Sequence, residues 1–178
     1  MSNLKFIAAG FGGQGILFMG KVAANAAMTD NMQVTWLPSY GPEMRGGTAN
    51  CSVCISEKSI HSPLVTEPDV LIALNNPSFE KFCKSVKSGG LIIYDSSIVT
   101  LKSGRTDIEE LGVKSTEIAE KNGIKGLSNM IILGILYKKT KLCTETSLFN
   151  AIKNCTPTYK SEMLELNNKA VKIGMNLI

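Results

Sequence analysis

A glycine-rich turn near the start of the sequence constrains the fold more than any other feature. The apolar run at residues 4–9 leads into Gly10-Phe11-Gly12-Gly13-Gln14-Gly15, which fits the pattern G-x-G-x-x-G. Apolar positions then recur with helical spacing over residues 13–30, so the turn joins a strand to a helix. Glycines permit a tight turn, and the free N–H groups at a helix start attract an anion such as a phosphate. A strand–helix turn without any ligand is the alternative.

Two nucleotide-binding hypotheses are weakened by the residues that follow the turn. A dinucleotide site needs an acidic residue at the end of the second strand. That strand ends with residues 36–39 (WLPS), which carry no carboxylate. Residues 15–22 match the phosphate loop G-x-x-x-x-G-K-[ST] except at Val22, which has no hydroxyl for a metal. Residues 16–19 (ILFM) also suit a helix better than an exposed anion cradle.

The alternation of strand and helix patterns predicts an α/β layered fold with a mostly parallel sheet. The predicted strands are residues 4–9, 32–37, 49–56, 70–74 and 91–94. The predicted helices are residues 13–30, 77–86, 127–141, 147–154 and 162–173, and the C-terminal part is helical from about Ser115. A length of 178 residues suits a single domain over residues 1–178.

Charge and apolar patterning argue against two kinds of partner. Lys plus Arg number 19 and Asp plus Glu number 15, giving a net charge of +4 that is scattered along the chain. We therefore expect binding neither to nucleic acid nor to a membrane surface. No apolar run approaches the roughly 20 residues of a spanning helix. The first residues do not resemble a signal peptide and the five cysteines are odd in number, which favours a cytoplasmic protein with reduced thiols.

A second loop, residues 39–48 (SYGPEMRGGT), leaves the second strand at the edge where the glycine turn is expected. Ligand crevices in such sheets lie outside the carboxyl ends of the strands. Arg45 suits a phosphate or carboxylate, and Tyr40 suits stacking or a hydroxyl contact. The candidate site residues of this loop are Tyr40, Gly41, Glu43, Arg45, Gly46 and Gly47. A surface turn in which Arg45 pairs with Glu43 is the alternative.

Other chemistry-bearing residues do not assemble into a reaction centre. Cys51 and Cys54 are the only close cysteine pair, and positions three apart in a strand point to opposite faces, so we expect no metal site. His61 is the only histidine, which leaves no hydrolytic triad. We therefore predict no catalytic residue. Asn75, at the exit of the strand 70–74, is a possible crevice contact, with turn chemistry as the alternative.

The two glycine loops in this order resemble the gamma subunit, or gamma domain, of the 2-oxoacid:ferredoxin oxidoreductases. His61-Ser62-Pro63, residues 67–75 (EPDVLIALN) and residues 129–134 (NMIILG) add to the resemblance, which runs from about residue 6 to residue 134. It implies a Rossmann-like fold. Residues 40–51 (YGPEMRGGTANC) look most similar to subunits that serve 2-oxoglutarate.

The resemblance also implies a place in a multi-subunit enzyme. Such enzymes decarboxylate a 2-oxoacid, reduce ferredoxin and form an acyl-coenzyme A. Thiamine diphosphate, magnesium and iron–sulfur clusters are then expected on alpha, beta and delta-type partner subunits, and this chain has no Gly-Asp-Gly loop of its own. The chain is expected to be inactive alone and to contribute to assembly and coenzyme A handling. Gly10, Gly12, Gly13, Gln14 and Gly15 would hold coenzyme A or its phosphates, or contact a partner subunit.

Two alternatives remain at this point. The chain could be a stand-alone Rossmann-type nucleotide-binding protein or dehydrogenase. Alternatively, both glycine loops could serve only as a docking surface for other subunits.

Overall fold

The computed structural model describes residues 3–41 and 47–178, and within them the strands form one sheet. The strands are β1 (Leu4–Phe11), β2 (Gln33–Tyr40), β3 (Thr48–Ser56), β4 (Val70–Ala73), β5 (Leu91–Asp95) and β6 (Glu109–Val113), in the order β2-β3-β1-β4-β5-β6. β1, β4, β5 and β6 pair in parallel, whereas β3 is antiparallel to both β1 and β2. Every described strand except β3 therefore runs in one direction, which confirms the predicted mostly parallel α/β fold.

Helices cover both faces of this sheet. They are α1 (Ile16–Thr29), α2 (Asn76–Phe82), α3 (Ser115–Lys121), α4 (Ser128–Thr140), α5 (Glu145–Cys155) and α6 (Ser161–Met175). Phe6 and Ala8 of β1 face the larger core, which contains α1, α4, α5 and α6. Ile7 and Ala9 face the opposite way, into a smaller core with Phe79 of α2. This alternation follows from the two-residue side-chain period of a strand.

Several boundaries differ from the sequence-based prediction, and pairing explains the differences. β6 was missed because Glu109–Val113 (EELGV) has two charges and a glycine, and its strand conformation comes from pairing with the buried β5. The sequence predicts that the second strand ends at residue 37, but residues 38–40 continue β2 and pair with residues 49–51 of β3. Pro38 is tolerated there because β2 is an edge strand. The helix predicted at 77–86 ends at Phe82 and continues as the 3₁₀ turn Cys83–Ser85.

A close contact between the backbones of α4 and α6 fixes the position of α6, the C-terminal helix, against α4. Gly134 of α4 and Gly174 of α6 lie against each other, and a Cβ atom added to Gly134 would be 2.9 Å from the backbone nitrogen of Met175. Glycine at both positions lets the two helix backbones approach directly. At the other end of α6, Ser161 and Glu162 line a cavity together with Gly13 and Gly15 of the loop between β1 and α1.

None of the helices in the described residues combines the length and the apolarity that crossing a bilayer requires.

Candidate functional site

The glycine loop, residues 10–15, is held by one glutamine side chain. Gln14 accepts a hydrogen bond from the Phe11 N–H at 2.6 Å and donates one from Nε2 to the Leu74 carbonyl at 3.0 Å. Gly10 leaves room for this amide, because a Cβ atom at that position would lie 2.6 Å from Gln14 Oε1 and displace it. The amide of Gln14 therefore ties the end of β1 to the end of β4.

This link spans the point where the chain changes sides of the sheet. β1 is followed by α1 on one face, and its parallel neighbour β4 is followed by α2 on the other. The crevice outside the carboxyl ends of two such strands is the usual ligand site of open α/β sheets. The glycine loop lies at that crevice, as the sequence pattern predicts.

Two helix N-termini meet at this loop. Gly15 precedes α1 with a φ of 72°, a left-handed conformation that glycine adopts readily. Asn129, in the first turn of α4, donates a hydrogen bond from Nδ2 to the Gly15 carbonyl at 3.0 Å. Among the described residues, no side chain caps α1 or α4, and neither helix has an acidic residue in its first turn. The unpaired N–H groups and the positive ends of both helix dipoles therefore favour an anion near Gly15.

The second loop ends beside the glycine loop and begins one strand further away. The N–H of Gly12 donates to the carbonyl of Gly47 at 2.8 Å, and the N–H of Gly41 donates to the carbonyl of Thr48 at 3.1 Å. Tyr40, the last residue of β2, is 61% exposed at this edge. The structure thus brings Gly47 into contact with the glycine loop, while Tyr40 and Gly41 lie at the same edge of the sheet but on the far side of β3. Glu43, Arg45 and Gly46 lie outside the described residues.

Two cavities flank the glycine loop and share Gly13, Gly15 and Phe18 in their walls. The first, of about 840 Å³, lies between the loop, the start of α4 and the α5–α6 connection, and we call it the polar cavity. Its further walls include Asn129, Cys155, Thr156, Ser161, Glu162 and Asn167. The second, of about 540 Å³, lies between the loop, α1 and β2, and we call it the aromatic cavity. Its further walls include Phe11, Leu17, Trp36, Pro38, Tyr40 and Thr48.

Asn129 and Asn167 are buried amides whose oxygens lack a hydrogen bond within the described residues. The nitrogen of Asn167 contacts Thr156 Oγ1 at 3.4 Å, and the Thr156 hydroxyl itself donates to the Ile152 carbonyl. A buried acceptor left unpaired costs about 1–3 kcal/mol. In the sequence, Asn129 stands out only as part of the family resemblance and nothing marks Asn167 and Trp36 as wall residues, because sequence spacing does not link them to the glycine loop.

The side chains of Asn75 and Asp95 both accept hydrogen bonds from backbone N–H groups at the start of a helix. Asn75 is 1% exposed, and its Oδ1 accepts the Ser78 N–H at 2.8 Å at the start of α2, which matches the turn-chemistry alternative. Its Nδ2 has no hydrogen-bond partner among the described residues. Asp95 is fully buried and accepts hydrogen bonds from the N–H and hydroxyl of Thr116 at 3.1 and 2.5 Å. Asp95 therefore holds the start of α3.

Neither nucleotide-binding alternative matches this geometry. Gly20 and Lys21 lie inside α1, together with the four residues that would form a phosphate loop, so that hypothesis is wrong. β3 separates β1 from β2, which puts the end of β2 two strand spacings, about 10 Å, from β1. The adjacent β1 and β2 of a dinucleotide-binding unit are absent from the described sheet.

The cysteine pair has the predicted geometry. Cys51 belongs to the larger core and Cys54 to the smaller one, so the two thiols lie on opposite faces of β3. Burial raises the pKa of the Cys51 thiol to about 12. Within the part of the chain that the structure describes, no three His, Cys, Asp or Glu side chains are grouped as a metal site.

Comparison with known proteins identifies the family. Residues 5–177 match the family described as pyruvate ferredoxin/flavodoxin oxidoreductase. The chain is 38% identical over 166 residues to the ketoisovalerate oxidoreductase subunit VorA of Methanothermobacter thermautotrophicus. That match covers 93% of the chain but 34% of VorA, so the chain spans about a third of the length of that relative. It is 34% identical over 177 residues to the 2-oxoglutarate synthase subunit KorC of Methanothermobacter marburgensis, which covers 96% of the chain and 94% of KorC.

Solved structures agree with this assignment. The gamma subunit of a keto/oxoacid ferredoxin oxidoreductase from Geobacter sulfurreducens superimposes with a TM-score of 0.85 and 26% identity, over 99% of the chain and 96% of that protein. The 2-oxoglutarate:ferredoxin oxidoreductase of Magnetococcus marinus shares the fold, with a TM-score of 0.88 at 23% identity over 99% of the chain and 31% of that protein. The resemblance inferred from the two glycine loops is confirmed, and the chain belongs to the pyruvate ferredoxin/flavodoxin oxidoreductase family.

Proposed function

We propose that this chain is a single-domain gamma-type subunit of a multi-subunit 2-oxoacid:ferredoxin oxidoreductase. In this proposal the complex converts a 2-oxoacid to an acyl-coenzyme A with ferredoxin as electron acceptor, in the cytoplasm. The chain contributes to assembly and handles coenzyme A at the glycine loop. The observation that carries the proposal is the convergence of two uncapped helix N-termini on Gly15 at the crevice of the sheet.

Coenzyme A is favoured as the ligand because its phosphates suit this anion-attracting loop. The solved Magnetococcus marinus enzyme, which has the same fold in part of its chain, is described with 2-oxoglutarate, coenzyme A and succinyl-CoA bound. The glycine loop and residues 40, 41 and 47 of the second loop would form the contact surface for coenzyme A or for a partner subunit. Arg45 and Glu43 remain proposed members of that surface.

The reaction centre would belong to alpha, beta and delta-type partner subunits. Thiamine diphosphate and iron–sulfur clusters there would supply decarboxylation and electron transfer. This chain does not fit either group: it has no Gly-Asp-Gly loop, and Cys51 and Cys54 point to opposite faces of β3. A clustered iron–sulfur site needs closely spaced thiolates that converge.

We propose 2-oxoglutarate as the substrate of the complex. KorC relatives, named as 2-oxoglutarate synthase subunits, match this chain along nearly their whole length. VorA relatives are named for ketoisovalerate and are somewhat more similar, but they contain this chain as about a third of their length. Substrate choice would rest on the thiamine-bearing subunits.

Reconstitution tests this function. Alpha, beta and delta-type partner subunits are purified with and without this chain, and coenzyme A-dependent dye reduction is measured with 2-oxoglutarate, 2-ketoisovalerate and pyruvate. We expect activity only with the chain present and highest with 2-oxoglutarate. Partner subunits that are fully active without the chain contradict the proposal.

A pair of glycine variants tests the loop. In Gly15→Ala, the new Cβ would lie 2.9 Å from Cγ of Asn129 and the φ of 72° would be strained, so we expect most of the activity to be lost. Gly89→Ala is the matched control, because Gly89 has a φ of 76°, open space around it, and a position before β5 at the opposite edge of the sheet. Equal activity of the two variants would contradict a role for the loop.

A further inference from the structure

We propose that the carboxyl edge of the sheet, from β2 to β5, is the docking surface for one particular partner subunit. This subunit, which we call the large partner, is the polypeptide that corresponds to the part of VorA outside this domain, about two thirds of that protein. The inference rests on the proposed function. It goes beyond that function because it assigns one partner to one surface and adds the loop after β5, which no sequence motif indicated.

Large apolar side chains are exposed along this edge. β1, β2, β4 and β5 run in the same direction, so their carboxyl ends lie side by side. The exposed side chains form the apolar rim: Phe11 at the end of β1, Tyr40 at the end of β2, and Ile98 and Leu101 after β5. β2 and β5 are four strand positions apart, so the rim is about 19 Å long. That length fits within a standard interface of about 800 Å² per partner.

The two edges of the sheet differ in charge. The described segments at the carboxyl edge between β2 and β5 are residues 11–15, 40–41, 47–48, 74–78 and 96–101. None of the residues in these segments is charged, although charged residues make up 19% of the chain. Near the amino edge, each of the same five strands has a charged residue: Lys5, Asp30, Lys58, Asp69 and Lys87. Charged residues are depleted at the cores of protein interfaces, so the carboxyl edge has the composition of an interface.

The loop after β5 holds its two apolar side chains in a fixed position. The N–H of Ile98 donates to the Asp95 carbonyl at 3.0 Å, and the N–H of Thr100 donates to Asn76 Oδ1 at 2.9 Å. The first bond ties the loop to the end of β5 and the second ties it to the start of α2. Ile98 and Leu101 nevertheless remain exposed. Apolar side chains that are already fixed lose less entropy when a partner binds them.

The architecture of the VorA relatives favours a different subunit over a second copy of this chain. Those relatives contain this domain as about a third of a longer polypeptide, so a covalent link connects it to the rest. Under the proposed function this chain is a separate subunit, and noncovalent contacts alone must hold it. A permanent contact of this kind needs an apolar, well-packed surface, which the apolar rim supplies. Docking there would close the crevice at the glycine loop, which lies in the middle of the rim.

Charge introduced into the rim tests this assignment. The complex of the remaining subunits is titrated with the full chain, and Kd is measured by calorimetry. Docking of Ile98→Asp or Leu101→Asp would bury an unpaired carboxylate, so we expect Kd to rise at least about tenfold. Leu64→Asp is the matched control, because Leu64 is also exposed but lines a cavity with Lys5 and Lys87 at the amino edge. Its Kd should stay within about threefold of the original.

Cross-linking identifies the occupant of the surface. A photo-activatable phenylalanine analogue is placed at residue 101 or at residue 64, and each complex is irradiated. We expect the analogue at residue 101 to cross-link to the large partner and the analogue at residue 64 not to do so. A cross-link from residue 101 to a second copy of this chain or to another subunit contradicts the assigned partner, and so does the absence of any cross-link.

Two outcomes separate this inference from the function on which it rests. If the original chain associates and restores activity but both rim variants bind as tightly as Leu64→Asp, the docking surface is wrong and the proposed function stands. If the original chain neither associates nor restores activity, the proposed function and the docking surface are both wrong. Circular dichroism of each isolated variant checks its folding. The cross-linking measurement remains decisive if a variant fails to fold.

Discussion

The contact between α4 and α6 leaves no room for a methyl group, and Gly134→Ala tests it. A Cβ atom at Gly134 would lie 2.9 Å from the backbone nitrogen of Met175 and 3.1 Å from Cα of Gly174, with the Val171 carbonyl oxygen closer still. Carbon atoms in favourable contact are about 3.5–4.0 Å apart. All three obstacles are backbone atoms, so a rotamer change cannot relieve the overlap and α6 itself must move.

The expected loss of stability follows from two opposing effects. Overpacking of this kind costs about 1–3 kcal/mol, and backbone obstacles place it at the upper end. Alanine in place of glycine in a helix interior recovers about 1 kcal/mol. We therefore expect the free energy of unfolding to fall by about 2 kcal/mol, which for a chain of this size lowers Tm by roughly 4–8 °C.

Urea unfolding followed by far-ultraviolet circular dichroism measures this difference, and thermal unfolding provides the Tm. Lys138→Ala is the matched control, because Lys138 lies one turn further along α4 and is exposed. It should change the free energy of unfolding by less than about 0.5 kcal/mol. A Gly134→Ala chain as stable as the original, or stabilised by the gain in helix propensity, would refute the argument that the two backbones are in rigid contact.

Two further predictions concern titration and thiol access. Burial alone would raise the pKa of Asp30, but hydrogen bonds from Ser147 and Thr144 outweigh it and hold that pKa below 3.8. The carboxylate thus stabilises the fold above pH 3.8 and loses this effect as pH falls through the lower, folded pKa. Asp30→Asn should cost about 1 kcal/mol at pH 7, with the difference shrinking near pH 3 in urea unfolding; a constant difference contradicts the assignment. Burial raises the pKa of both Cys155 and Cys143, but Cys155 is half-buried and Lys21 opposes the rise, whereas Cys143 is buried and its pKa is raised to about 12. Iodoacetamide at pH 8 should therefore modify Cys155 before Cys143, and coenzyme A should slow the reaction. Mass spectrometry that finds Cys143 modified first contradicts this.

Local patterns in the sequence were sufficient to predict the strands and the glycine turn at the centre of the fold. Residues 70–74 are wholly apolar, and β4 is a buried strand with parallel neighbours on both sides. The glycine pattern after β1 located both the loop and the start of α1. These predictions succeeded because a buried strand and a glycine turn depend mainly on residues that are close together along the chain.

The edges of the sheet could not be predicted in the same way. β6 has little apolar character, and β2 contains Pro38, a residue type that is typical of turns. Both segments are strands because a neighbouring strand supplies their hydrogen bonds. The sequence predicts a strand at residues 49–56, but no local signal shows that β3 lies antiparallel between β1 and β2, which moves the end of β2 away from the glycine loop.

The sequence by itself determined the family, the mostly parallel layered fold and the glycine loop between β1 and α1, because each depends on short motifs and on the period of apolar residues. Only the tertiary structure decided what surrounds the loop. Asn129 reaches Gly15 across 114 positions of the chain, and the glycine contact between α4 and α6 brings the start of α6 to the same place. Such long-range packing depends on how whole helices fit together, and no local pattern of residues encodes it.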